Sequence, residues 1–207
     1  MANKRDSLFR EGKTYQERTS YIGDARSSGN WFIYAEGFKK AAHMLLENCQ
    51  TTYDYNTVVY PIVFNLRHYL ELILKSILIN LDHLPKVPQS DSDKNIKKKP
   101  HTHTHKLKPL WDEIGKLKNE LEPHDRNSIF HPQLDLKKIN RYIKEFTKVD
   151  CISITFRYPD KNSSSCVIDG IQWLDLHHYV AEMSEISKIL EGIVDMIIIA
   201  IDQRKEF

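Results

Sequence analysis

Between Tyr60 and Asn80 the chain reads as one long helix, oily over most of its circumference, with charges where a buried helix should have none. At 100° per residue, Arg67, Glu71 and Lys75 fall within about 80° of one another. His68 lies beside them, and Tyr60 and Phe64 continue the same line toward the N-terminus. A helix apolar all round is normally buried, and buried Arg, Glu and Lys are rare unless paired. The stripe is therefore either an internal ladder of ion pairs or the wall of a cleft.

The rest of the chain supplies enough apolar material to enclose such a helix. Of 207 residues, 41% are hydrophobic and 28% charged, which suits one globular domain. The formal net charge of +2 gives no global bias toward nucleic acid or acidic ligands. Cys49, Cys151 and Cys166 are widely spaced and outside any CxxC pattern, as expected of free thiols in a reducing compartment. The first residues have no apolar signal-peptide core, and Met196 to Ile201 is too short an apolar run to span a bilayer. A cytoplasmic location without membrane contact is the expectation.

Taken in order, residues 1–29 are polar and read as an N-terminal arm; residues 30–207 read as a single helical domain. Asn30 is placed to cap a helix in which Trp31, Tyr34, Ala35, Phe38, Ala41, Ala42 and Leu45 repeat at helical spacing. Thr51 to Asn56 reads as a polar turn, and Pro61 as a first-turn residue of the striped helix. Residues 84–104 read as a flexible basic loop, since seven lysines and two aspartates lie between Lys86 and Lys108. Leu107, Leu110, Ile114 and Leu117 then mark a third helix, and Pro123 and Pro132 bracket a loop. Asp135 opens a fourth helix carrying Ile139, Ile143 and Phe146. Asp175 caps a last one running to Ile201. In between, Ile152, Ile154, Phe156 and Tyr158 alternate with polar residues, the period of a strand. The expected fold is all-α: a five-helix up-down bundle with a small β-hairpin or extended insertion around 151–170.

If the stripe lines a cleft, His105 at the start of the third helix and Arg157 in Phe-Arg-Tyr-Pro are the best candidates for its rim. Arginines, a lysine and histidines converging there suit a phosphate, with Lys75 and Tyr158 as further anion-binding groups. A glutamate among them orients a neighbouring histidine. The alternating histidines of His101-Thr-His-Thr-His105 invite a zinc reading. Known zinc arrangements need further ligands at fixed spacing, which are lacking, so neither metal nor cofactor is expected.

Arg126-Asn-Ser-Ile-Phe-His131, in a chain read as all-α, is similar to the motif of the HEPN superfamily (higher eukaryotes and prokaryotes nucleotide-binding). The Leu-Arg-His-Tyr-Leu-Glu-Leu-Ile-Leu-Lys run of the striped helix also resembles helices of HEPN-like abortive-infection proteins. The resemblance implies a helical homodimer and, in catalytic members, metal-independent RNA cleavage in a prokaryotic defence or toxin setting. RNA carries its own nucleophile, the 2′-hydroxyl, so a positioned base and a cation for the phosphate suffice. Two sets of residues compete for that role. One is Arg67, His68, Glu71, His105 and Arg157, with His68 or His105 as acid/base, the arginines on phosphate and Glu71 orienting. The other is the family-motif pair, Arg126 and His131. The alternatives to an RNA enzyme are a non-catalytic helical dimerisation or partner-docking module, and a nucleotide or anion sensor.

Overall fold

The computed structural model describes residues 29–86, 103–149 and 172–205. They form α1 (Gly29–Glu47), α2 (Thr52–Leu81), α3 (Leu107–Glu120), α4 (Pro123–Ile129), α5 (Leu136–Val149) and α6 (Leu176–Asp202). The all-α class holds. Among the described residues the one extended pairing is an isolated antiparallel bridge between Lys86 and Leu121. The expected hairpin at 151–170 lies outside the described residues.

The fold is built around α2, about 45 Å long by its helical rise. It packs most extensively on α1, then on α3 and α6; α3 packs in turn on α5, and α4 on α6. Every residue from Tyr69 to Leu78 is buried, so this part of α2 is enclosed on all sides. Leu66, Leu70, Ile73, Leu74 and Ile77 have no exposed surface. Each contributes on the order of 1.5–3 kcal/mol through removal from water.

Several local expectations are corrected. Thr51 to Asn56 is the beginning of α2 rather than a turn. Thr51 accepts from the Asp54 backbone N–H, and the Asp54 carboxylate accepts from the Thr51 N–H, closing a capping box. Pro61 therefore lies inside α2, not in its first turn. It stands on an exposed face, as does Thr57, whose carbonyl loses its helical partner there and can turn to water. α1 begins at Gly29, one residue before the expected cap. The expected five helices become six, because the segment between Pro123 and Pro132 holds α4 with Pro123 at its first position. Asp135 and Asp175 do cap their helices, accepting from the N–H groups of Lys138 and His178, each at 2.9 Å.

Candidate functional site

The stripe of α2 condenses on one carboxylate. Arg67 Nη1 donates to Glu71 Oε2 at 2.6 Å, and Lys75 Nζ to Glu71 Oε1 at 2.8 Å. These side chains are 3%, 1% and 3% exposed for Arg67, Glu71 and Lys75. The helical repeat alone brings the three together; enclosure by the neighbouring helices removes them from water. Among the described residues, two cations here face one anion. Both cations have further partners. Arg67 Nη2 donates to the His105 backbone carbonyl, and the Lys75 ammonium stands 5.6 Å from the centre of the Trp31 ring.

His105 completes the cluster from the segment leading into α3. Its Nδ1 lies 2.8 Å from Glu71 Oε1, while the side chain is 65% exposed. An ionised carboxylate can only accept, so Nδ1 carries the proton in this contact. Neutral His105 then keeps its lone pair on Nε2. Burial pushes the Glu71 pKa up, but nearby His68, Lys75 and Arg67 outweigh it and hold the carboxyl well below the usual range. His68 acts on Glu71 without a direct hydrogen bond. Its Nδ1 is 3.9 Å from Glu71 Oε2, beyond hydrogen-bond reach, and is buried without a hydrogen-bond partner among the described residues. The His68 ring stacks on Phe64 at 5.7 Å and meets Phe38 edge-on at 4.4 Å. Burial raises the Tyr179 phenol strongly, with the Arg67 charge pulling the other way.

Arg67, Glu71, Lys75 and His105 thus meet in one network, with His68 at its edge. Arg157 and Tyr158 lie outside the described residues. Arg126 and His131 do not join the cluster's hydrogen bonds. Arg126 sits in the last turn of α4, half-buried, rather than in a loop, and His131 is exposed just beyond. His131 Nδ1 accepts from the Gln133 N–H at 3.3 Å, which leaves the Nε2 proton facing outward in the neutral ring. No group of three or more His, Cys, Asp or Glu able to hold a metal occurs among the described residues.

Two groups of interactions had no counterpart in the sequence reading. Asp125, 3% exposed, receives both oxygens' bonds from Arg204 Nη2 at 2.7 and 2.6 Å, fastening α4 to the end of α6. Tyr69 donates to Glu191 Oε1 at 2.8 Å, and Lys39 donates to the same oxygen, joining α1, α2 and α6. Neither pair shows in hydropathy periodicity, because the partners are far apart in the chain. Comparison with known proteins finds no matching family model, curated protein or solved structure. What is established is an all-α protein built round a buried, Glu71-centred ionic cluster. No helix of its described residues is long and apolar enough to cross a membrane.

Proposed function

We propose that this is a HEPN-like protein that binds RNA and cleaves it without metal, with His105 as the acid/base. The observation that carries the reading is the Glu71–His105 contact: a buried, ionised carboxylate orients an imidazole that is itself 65% exposed. In that tautomer Nε2 can take the proton of a 2′-hydroxyl as it attacks the adjoining phosphate, and return one to the leaving oxygen. Arg67 has a different role from the phosphate contact its charge suggests. It is spent on Glu71 and on the His105 carbonyl, and so positions the imidazole from below. The basic stretch from Lys86 to Lys108 supplies salt-sensitive contact to the RNA backbone.

The test is incubation of the chain with labelled RNA in EDTA. Cleavage that His105→Ala abolishes, with Arg126→Ala and His131→Ala still active, supports the assignment. Cleavage that survives His105→Ala and stops in His131→Ala moves the site to the α4 motif. No cleavage by the wild-type chain removes the enzyme.

A second reading, a non-catalytic dimerisation or docking module, draws on large apolar side chains left in solvent. Ile33, Tyr34 and Met44 of α1 are 65%, 51% and 52% exposed. A homodimer in sedimentation, dispersed by charged substitutions at Ile33 and Met44, is its expected outcome.

A further inference from the structure

A cleft of about 270 Å³ opens between the C-terminal part of α5 and the N-terminal part of α6, and it shares no residue with the Glu71 cluster. Its floor is apolar: Val63 and Met183 are 3% and 2% exposed. Three aromatic rings, Tyr142, Phe146 and Tyr179, stand around it, and the Phe146 and Tyr179 centroids are 6.3 Å apart in an edge-on arrangement. Among the described residues its lining carries three carboxylates, Glu145, Asp175 and Glu182, and neither lysine nor arginine. This concentration of negative charge occurs in a chain whose net charge is positive.

The three carboxylates are not equivalent. Asp175 caps α6, accepting from the His178 N–H. Glu182 accepts from Tyr142 Oη and pairs with Lys138 at 3.0 Å. Glu145 is exposed at the rim, with the Arg141 charge acting on it from a distance. Of the nearby cations, Lys138 is held by Glu182, and the Arg141 guanidinium lies over the Tyr142 ring at 4.9 Å from its centre, where it also feels the charges of Glu145 and Glu182; the His178 imidazole lines the cleft as well. An anion entering here meets like charge at the mouth and apolar rings behind it. A neutral apolar molecule gains the floor and walls but not the rim. A cation with an apolar body gains both, because aromatic faces and an exposed carboxylate attract positive charge together.

We propose that this cleft binds a small alkylammonium compound, its methylated or methylene-rich body against Phe146, Tyr179 and Met183 and its charge toward Glu145. The volume suits a compact quaternary ammonium rather than a nucleotide. The site is independent of the RNA reading, and its failure would leave that reading untouched.

The test uses the full chain with methyl-labelled side chains, titrated with choline and with its uncharged isostere 3,3-dimethylbutanol. Choline is expected to shift the Val63 and Met183 methyl signals saturably, and to bind about tenfold more tightly than the alcohol, the gain of a desolvated cation–aromatic contact. Glu145→Gln, at an exposed position and so neutral to folding, is expected to weaken choline several-fold and leave the alcohol unchanged. Phe146→Ala weakens both; its circular dichroism is compared with wild type, and an unfolded variant is replaced by Tyr179→Phe as a wall control that keeps binding. Equal affinity for choline and the alcohol overturns the proposal, as does the lack of any saturable shift at Val63 and Met183.

Discussion

The Arg67 guanidinium and the Glu71 carboxylate face each other at 2.6 Å, 3% and 1% exposed, one turn apart on the most enclosed helix of the protein. Removing two charges from water costs several kcal/mol per ion, and mutual attraction offsets it only while both partners are present. Glu71→Gln leaves Arg67 and Lys75 buried against a neutral amide. The expected loss is about 3–5 kcal/mol, read as a fall in the urea midpoint at constant slope. Replacing Arg67, Glu71 and Lys75 together by apolar residues of similar volume is expected to recover most of that loss, since no charge then remains to be buried.

The same carboxylate sets a pH dependence. Its folded pKa lies well below the ordinary value near 4.5. A group depressed on folding adds stability above its unfolded pKa and loses it as pH falls toward the folded one. Stability is therefore expected to be level with respect to Glu71 at neutral pH and to fall progressively below about pH 4.5. Urea midpoints measured from neutral to strongly acid pH check this, with Glu71→Gln as the control. Asp54, held low by the Gln50 and Thr51 N–H groups, and Glu182, held low by Tyr142 and Lys138, keep their own slopes in that variant. The difference between the two curves isolates Glu71.

Arg204→Ala leaves the Asp125 carboxylate, 3% exposed, without the guanidinium that fills both its oxygens. Because Arg204 is itself 39% exposed, solvent replaces part of the interaction, and the expected cost is about 1–2 kcal/mol. The loss is local. Amide exchange is expected to accelerate in α4 before it does in α2. Equal acceleration throughout would mean that the pair holds the whole bundle rather than this one helix.

Tyr69→Phe deletes a donor to Glu191 from a side chain with no exposed surface. Glu191 keeps the Lys39 ammonium, so no buried acceptor is orphaned. A loss of about 1 kcal/mol is expected, the net value of one hydrogen bond. Chemical denaturation of the variant measures it; a loss several times larger would show that Lys39 alone cannot hold the carboxylate.

What the chain reveals before folding divides along the range of its interactions. Arg67, Glu71 and Lys75 converge because a helix repeats every 3.6 residues, so their grouping was legible. The Asp135 and Asp175 caps were legible for the same local reason. The start of α2 was misplaced because its first turn is polar on the outside, although the Thr51–Asp54 capping box was available as a signal. α4 was hidden by its two flanking prolines, one of which opens it. That His105 belongs with the stripe could be guessed from its chemistry. That its backbone carbonyl, as well as its ring, is engaged could not, for it depends on how α3 approaches α2.

The clasp between Arg67 and the His105 carbonyl has a practical corollary when set beside the Lys86–Leu121 bridge. Both ends of the lysine-rich stretch are moored to the helices, one at position 86 and the other at 105. The closure entropy of a connection grows only as the logarithm of its length. An extra sequence spliced between those moorings is thus borne at small thermodynamic expense, which makes this stretch the natural place to graft a reporter or an affinity tag without disturbing the helices.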